Sequence, residues 1–244
     1  MSFGPPGSPP SAFASRPAPL RLPELPVLRS PQGLATALTV LLSAAALVNL
    51  VAAGVGVYSW SLLQDMIAET GTASAAAFDR AADAAMVAAS FQLLAQLGTA
   101  VVFLIWFHRV RANGQVFDPT AFTWSHRWAV GSWFVPVGNF FLPYLVARET
   151  WRASAPLAPD GSRRPVSLVP VASWWIVWLL SVLSNLPAEQ LYKRADSMEQ
   201  LAGACAVDAF SALVTVAAAV LAILFVRRLT AFQDARARGT YAAV

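Results

Sequence analysis

The chain has 244 residues, of which 57% are hydrophobic and only 12% are charged, and its mean hydropathy is +0.56. Soluble domains carry about 25% charged residues, so this composition excludes a soluble catalytic domain as the main body and also excludes a disordered chain. The formal net charge is +4. Because the chain is dominated by long apolar stretches, we assign this basicity to a membrane surface, and we expect no nucleic acid partner.

The first 33 residues contain 9 of the 17 prolines. Proline at this density blocks helix and sheet formation and favours extended, solvated backbone. No charged region followed directly by a short apolar core is present, so we do not expect a cleaved signal peptide. We predict a disordered cytoplasmic tail over residues 1–33, a transmembrane helical domain over residues 34–232, and a cytoplasmic C-terminal tail over residues 233–244.

Five intervals without any charged residue follow the tail, and each is long enough, or nearly so, to supply the roughly 20 apolar residues that cross a bilayer core. They cover residues 30–64, 84–107, 128–147, 165–188 and 209–226. Four of these intervals predict ordinary transmembrane helices. Their expected bounds are 34–63, 76–111, 167–186 and 189–232.

The third interval, residues 128–147, differs because it contains Pro136 and Pro143. Proline inside a helix removes a backbone hydrogen bond, and lipid offers no replacement for it. We therefore expect a broken segment, re-entrant or interfacial, that turns around residues 136–139. Asn139 is expected to cap the freed backbone groups at this turn.

The same segment carries aromatic residues that can reach the following helix. Trp174 and Trp178 share one helix face, since they are four residues apart. Their depth below the cytoplasmic surface is one that Trp133 and Phe134 could reach. The sequence thus predicts that the broken segment packs its aromatic side chains against the third transmembrane helix.

The distribution of Lys and Arg favours four crossings over five. If the third interval does not cross, 14 of the 17 basic residues lie on one side and 3 on the other; if it crosses, the split is 8 and 9. Basic residues accumulate on cytoplasmic loops. The sequence therefore predicts a multi-pass protein of the cell membrane with both termini in the cytoplasm.

The two halves of the chain have a weak self-similarity. Leu47-Val-Asn-Leu-Val resembles Leu183-Ser-Asn-Leu-Pro, and Phe107-His-Arg-Val-Arg resembles Phe225-Val-Arg-Arg-Leu. This pattern predicts two repeated helical hairpins. Chance similarity between apolar helices is the alternative. The fold class expected in either case is an all-α polytopic membrane protein with four transmembrane helices and one broken segment.

Polar and aromatic residues concentrate at the cytoplasmic end, within and beside the third interval. Tryptophan and arginine at one depth are typical of an interfacial belt, and a binding pocket is the alternative. The candidate interaction surface consists of Trp106, Arg109, Asn113, Trp128, Trp133, Asn139, Arg148, Glu149 and Trp151.

Three patterns at this end carry a resemblance to a known family: WFHRVRAN at 106–113, WAVGSWFVPVGNFFLPY at 128–144 and RETWRAS at 148–154. Together they resemble the actinobacterial membrane family called domain of unknown function 4328. The resemblance covers roughly residues 34–237. It implies a small polytopic membrane protein with no assigned activity and brings no functional residues with it.

Catalysis is not expected, because the charge-free helices lack the acidic, histidine and lysine side chains that intramembrane enzymes and proton-coupled carriers need at depth. We expect no cofactor and no metal, since one cysteine and two histidines cannot build a zinc site. The leading interpretation is a non-enzymatic interaction or scaffold protein. Its expected partners are anionic lipid headgroups and a membrane or cytoplasmic protein. The alternative is a small transporter or channel subunit whose cavity is lined by residues 128–147.

Overall fold

The computed structural model describes residue 1, residues 27–70 and residues 74–242. Most of the predicted proline-rich tail, residues 2–26, lies outside the described residues. About 80% of the structure is helical, and the described residues form no β-strand. They form six α-helices: α1 (Gln32–Ile67), α2 (Ala75–Phe117), α3 (Trp128–Gly131), α4 (Leu142–Ser154), α5 (Val169–Arg194) and α6 (Met198–Ala242).

Helices α1, α2, α5 and α6 are long and apolar enough to cross a membrane. The predicted fold class, an all-α protein with four such helices and a broken segment between the second and the third, is confirmed. α2 has 43 residues and α6 has 45. At 1.5 Å per residue each is about 65 Å long, roughly twice the thickness of the hydrocarbon core. Both helices can therefore cross and still project beyond the bilayer.

Local signals in the sequence set the ends of α1. Pro31 precedes the helix, and its missing N–H is not needed there. At the other end the N–H of Glu69 donates to the carbonyl of Met66, and the N–H of Thr70 donates to that of Asp65, both at 3.3 Å. Glu69 has a φ of 52°, the left-handed conformation that ends a helix in this pattern of bonds.

The ends of α2 have equally local causes. Ser74 caps its N-terminus, because the Ser74 hydroxyl accepts a hydrogen bond from the N–H of Ala77 at 3.2 Å. At the other end the helix stops at Asp118, the residue before Pro119. A residue that precedes proline is sterically disfavoured in the helical conformation. Both ends of α2 are thus set by residue types, a serine cap and a proline, that can be identified in the sequence.

The four long helices form two hairpins, α1–α2 and α5–α6, which meet where α1 packs along α6. This contact is close because the backbone approaches at Gly56, where an added Cβ would lie 3.1 Å from the Cβ of Ala209. α4 packs against α2, α5 and α6. In the described part of the chain α2 and α5 do not pack along one another, so the α1–α6 contact has no counterpart between the other two helices.

Polar side chains join the helices within the apolar region, as expected for amides at such positions. The side chain of Gln92 in α2 donates to Oδ1 of Asn49 in α1 at 3.0 Å. The hydroxyl of Ser211 in α6 donates to the carbonyl of Ser184 in α5 at 2.8 Å. Asn185 instead donates to a carbonyl of its own helix at 2.6 Å. Each hairpin is therefore joined by at least one interhelical hydrogen bond from a side chain.

The broken segment does not form a straight helix. α3 makes a single turn, a 3-10 turn follows at Gly138–Phe140, and α4 begins at Leu142. Between them Val137 has a φ of 61°. A Cβ on Gly138 would lie only 2.7 Å from the side chain of Leu142, so glycine is required for this close turn. The chain reverses around residues 136–139, as the prolines predicted.

The helix ends differ from the predicted ones in the second half of the chain. α5 was expected to end before Pro187 but continues through it to Arg194. Proline removes one hydrogen bond, while the turns on either side keep theirs, so the helix is not obliged to end. α6 begins at Met198 instead of 189 and continues to Ala242. The residues predicted as a C-terminal tail are thus helical as far as the structure describes them.

One end of the bundle, called here the basic end, comprises the start of α1, the end of α2, α3, α4, the start of α5 and the end of α6. Twelve described arginines lie at this end. They are Arg29, Arg109, Arg111, Arg127, Arg148, Arg152, Arg163, Arg164, Arg227, Arg228, Arg236 and Arg238. The opposite end holds the two hairpin turns and most of the acidic residues.

The four-crossing arrangement predicts that residues 76 and 159 lie on opposite sides of the membrane. In a Cys205→Ser background, Ala76→Cys should react with an impermeant maleimide on intact cells, whereas Pro159→Cys should react only after lysis. The measurement is the labelled fraction on a gel before and after lysis. Labelling of both positions from the same side would contradict the arrangement, and exchanged accessibility would contradict only the predicted orientation.

Candidate functional site

The interior of the basic end is an aromatic cluster that joins α2, α4, α5 and α6. The ring of Trp174 stacks on that of Phe225, with centroids 4.5 Å apart and planes at 5°. Trp106 and Trp151 approach the same phenyl ring at 5.7 and 5.9 Å. Aromatic pairs of this kind contribute about 0.5–1.5 kcal/mol each beyond the burial of their surface. The cluster therefore holds one end of the bundle together.

The broken segment enters this cluster through Trp133. Its indole ring makes edge contacts with Trp178 at 5.2 Å, Trp175 at 5.8 Å and Phe103 at 5.5 Å between centroids. The predicted packing of this tryptophan against the third long helix is thus present. Phe134 was expected to do the same but is 72% exposed. Successive residues of a helical turn point about 100° apart, and here Trp133 faces the helix while Phe134 points outward.

A buried arginine, Arg111 of α2, fixes the position of α4. Its guanidinium forms an ion pair with Glu149 of α4, in which Nη2 lies 2.8 Å from Oε2, and the arginine side chain is fully buried. Nη1 donates to the hydroxyl of Thr150 at 3.3 Å and to the carbonyl of Val146 at 3.4 Å. A carboxylate, a hydroxyl and a carbonyl of α4 thus accept hydrogen bonds from the buried guanidinium of α2.

The same pair also orders the loop between α2 and α3. Nη2 of Arg111 donates to the carbonyl of Trp124, and the guanidinium lies 4.0 Å from the centroid of the Phe122 ring. Oε1 of Glu149 accepts a hydrogen bond from the N–H of Thr123 at 3.3 Å. Since charge-assisted hydrogen bonds are among the stronger ones, this pair connects α2, α4 and the intervening loop into one unit.

A second buried polar group, Gln233 of α6, connects three helices. Its amide nitrogen donates to the carbonyl of Val110 at 2.7 Å and to the hydroxyl of Ser154 at 2.9 Å. Its oxygen accepts a hydrogen bond from Asn113 at 3.0 Å. Every hydrogen-bonding partner lies inside the protein, so the amide is buried at little cost and determines how α2, α4 and α6 meet.

Asn113 also holds the chain that leads into α1. Its Nδ2 donates to the carbonyl of Arg29 at 2.8 Å, and its Oδ1 accepts the N–H of Arg29 at 3.1 Å. Close by, Arg109 donates to the carbonyl of Ser30 at 3.1 Å, and the side chain of Gln32 donates to Asp234 of α6 at 3.0 Å. The segment before α1 is therefore bound to α2, and the first residue of α1 to α6, by polar contacts.

Large apolar side chains face outward at the turn of the broken segment. This group, called here the exposed turn, consists of Phe134, Val137, Phe140 and Phe141. Val137 is 75% exposed and has the left-handed φ of 61°, which is costly for a β-branched residue. The turn therefore combines backbone strain with exposed apolar surface.

The nine residues predicted to form an interaction surface are near one another at the basic end but divide into two groups. Trp106, Asn113 and Trp151 are buried, so for them the prediction of a surface is wrong: they pack and hydrogen-bond in the interior. The others are partly exposed, namely Arg109, Trp128, Trp133, Asn139, Arg148 and Glu149.

The expected role of Asn139 is also corrected. Asn139 does not cap the turn: its Oδ1 is buried and accepts no hydrogen bond within the described chain. The turn does not need it, because the N–H groups of the turn donate to backbone carbonyls, such as that of Phe140 to Val137 at 3.1 Å.

Arg111, Gln233 and Thr150 carry much of the geometry of this end but were not among the predicted site residues. Arg111 was counted only as a basic residue of a cytoplasmic loop. A signal was available in the sequence, since Arg111 shares one helix face with Phe107 and Gly114 at spacings of four and three. Gln233 was assigned to a tail, so its position gave no such signal.

No group of three or more His, Cys, Asp or Glu residues that could hold a metal ion occurs in residues 27–70 and 74–242. His108 and His126 lie together, with ring centroids 5.3 Å apart. Two imidazoles alone do not complete a metal site. The groups that this end offers for chemistry are therefore hydrogen-bond donors, guanidinium groups and aromatic faces.

We predict that Arg111→Met destabilises the protein by about 3 kcal/mol, because it leaves the carboxylate of Glu149, only 14% exposed, without its partner. The free energy of unfolding in detergent micelles, followed by tryptophan fluorescence, measures this effect. The double variant Arg111→Met/Glu149→Gln should recover part of the loss.

A second ion pair of the basic end supplies the matched control. Nη2 of Arg163 lies 2.6 Å from Oδ2 of Asp118, but the side chain of Arg163 is 68% exposed. Arg163→Met should cost no more than about 1 kcal/mol, as exposed pairs do. Equal losses in Arg111→Met and Arg163→Met would contradict a structural role for the buried pair.

Comparison with known proteins adds one relationship. No curated protein and no solved structure matches the chain. A family described as Domain of unknown function (DUF4328) matches residues 69–231, which are 163 of the 244 residues. The matched region begins just after α1, ends within α6 and includes the whole broken segment with its buried ion pair. The chain therefore belongs to the DUF4328 family.

Proposed function

We propose that the protein is a non-enzymatic interaction or scaffold protein of the cell membrane, in which both termini are cytoplasmic and the basic end presents the contact surface. The four apolar helices and the family assignment support a membrane protein in general. The proposed orientation rests on the concentration of arginine at the basic end, since basic residues accumulate on the cytoplasmic side.

The exposed turn is the observation on which the scaffold proposal depends. A purely structural role in the membrane would not require a valine to be held in a strained conformation with its side chain exposed. Strain of this kind persists only where surrounding contacts enforce it, and it concentrates at functional positions. Here Trp133 on one side of the turn is packed against α5, and α4 on the other side is fixed by Arg111.

The occupant that we infer for the exposed turn is a partner protein. Its four apolar side chains lie at the arginine-rich end, where an interface with an apolar centre and a charged rim can form. Phe134 and Phe140 are the aromatic residues that would enter a partner pocket, as aromatic side chains often do at energetic centres of interfaces.

The test places a photoreactive phenylalanine analogue at position 134 or 140 in the full chain in its native membrane. Irradiation should give a discrete protein adduct of higher mass at both positions, identified by mass spectrometry. The same analogue at Phe91, an exposed residue of α2 away from the basic end, is the matched control and should give lipid adducts only.

Substitution provides the second half of the same test. Phe134→Ser/Phe140→Ser should abolish the adduct formed through an analogue placed at Phe141, while the amount of protein in the membrane stays the same. Both side chains are exposed, so their replacement removes little packing. Lipid adducts alone at positions 134 and 140 would refute the scaffold proposal and identify the turn as a membrane anchor.

A transporter or channel subunit is the second candidate, and unpaired polar atoms support it. Among the described residues, six buried side-chain nitrogen or oxygen atoms lack a hydrogen-bond partner. Four of these belong to the broken segment or its end, in Ser132, Trp133, Asn139 and Arg148. Buried polar atoms of this kind are normally satisfied by water or a ligand, so their concentration is what a polar cavity would produce.

Aqueous access distinguishes the two candidates. In the Cys205→Ser background, Ser132→Cys should remain unreactive towards a small charged methanethiosulfonate if the segment is packed as a scaffold. Ser132 is fully buried, so reaction there requires a water-filled path. Rapid reaction, protected by a transported solute, would favour the transporter over the scaffold.

A further inference from the structure

A cavity of about 530 Å³ lies at the basic end, beside the last turns of α2. It is formed where residues 27–29, which precede α1, run past α2 and the loop residue His126. The side chains that matter for its chemistry are those of Arg29, His108, Arg109, Gln115 and His126. This cavity is separate from the exposed turn, none of whose residues lines it.

The lining of the cavity is basic. Among the described residues it includes two arginines and two histidines, and no aspartate or glutamate. The two ion pairs of the described chain involve other arginines, so neither Arg29 nor Arg109 has a carboxylate partner there. Unpaired guanidinium groups around a concave site favour an anionic group, and their planar donors fit phosphate oxygens well.

The main chain at Arg29 and the guanidinium of Arg109 are held in place by hydrogen bonds. Asn113 binds both the N–H and the carbonyl of Arg29, and Arg109 donates to the carbonyl of Ser30 at 3.1 Å. The rings of His108 and His126 are in edge contact, 5.3 Å apart. Because these contacts exist before any ligand binds, little order has to be created on binding.

An exposed apolar stripe of α2 leads directly to the cavity. Leu97, Val101 and Ile105 follow one another at spacings of four residues and are about half exposed, and Ile105 also lines the cavity. The next residues on the same face are His108 and Arg109. A basic cavity at the end of an apolar stripe matches a molecule with an anionic head and a hydrocarbon chain.

We propose that this cavity binds the phosphate of an anionic membrane phospholipid, with Arg29 and Arg109 on the phosphate and the acyl chain along the stripe of α2. This inference rests on the proposed location in the membrane and names one of the partners there. His108 and His126 supply N–H donors to the headgroup.

Native mass spectrometry of the full chain, released from detergent with phosphatidylglycerol or phosphatidylcholine added, tests the site. Wild type should retain phosphatidylglycerol with a dissociation constant at least tenfold lower than that for phosphatidylcholine. Arg29→Gln/Arg109→Gln should weaken the binding of phosphatidylglycerol by about ten- to thirtyfold, given the contribution of a basic residue near an anionic lipid.

Arg152→Gln is the matched control, since Arg152 is an exposed arginine of the basic end that does not line the cavity. It should change the dissociation constant less than twofold. Equal weakening in the control and the double variant would overturn the site and leave only diffuse attraction between charges. An unchanged constant in the double variant would overturn it as well.

Two further arms make the result unambiguous. Inorganic phosphate at millimolar concentration should not displace the lipid, and displacement would overturn the lipid assignment in favour of a free phosphate. Arg29→Gln alone, a change at one exposed side chain, should weaken binding at least threefold even if the double variant folds poorly.

Failure of lipid binding with intact cross-linking at position 134 would refute this site alone, whereas the reverse result would refute only the scaffold proposal.

Discussion

A buried guanidinium must have a carboxylate and further acceptors around it, and this requirement governs the basic end of the protein. Arg111 cannot leave the interior, because Phe107 and Gly114 of the same face are buried with it. Glu149 and Thr150 therefore have to come to it, and they bring α4 against α2. Breaking such a pair costs several kcal/mol, so the position of α4 follows from one side chain of α2.

The position of α4 in turn decides what the broken segment can do. Because α4 is held at the basic end, residues 128–141 have to begin and end at this same end of the bundle. Trp133 then fills the space between Phe103 and Trp178. The two helical hairpins then meet mainly along α1 and α6, while α3 and α4 occupy the region between α2 and α5 at this end. Pro136, Pro143 and the buried charge of Arg111 thus account for an arrangement with four long helices instead of five long helices.

The same arrangement places two different surfaces at one end of the molecule. The exposed turn is apolar and strained, whereas the cavity beside α2 is basic and already ordered by Asn113. A protein surface and a phosphate group recognise different chemistry, and here the two surfaces share a rigid support of stacked aromatic rings. Lipid binding in the cavity would fix the depth, relative to the membrane, at which the exposed turn meets its partner protein.

The sequence by itself determined the class of protein, the four apolar helices and the break around residues 136–139, because hydropathy, arginine distribution and proline act locally and need no partner. It also located the basic end as the region of interest. Only the tertiary structure decided which residues there are buried. Arg111 and Gln233 are polar side chains whose cost of burial depends on hydrogen-bonding partners in other helices. For Trp106 and Asn113, the sequence does not show whether the side chain faces lipid or the core. Partners distant in the chain decide such questions, since the free energy of a buried polar group depends on the hydrogen bonds that the fold completes.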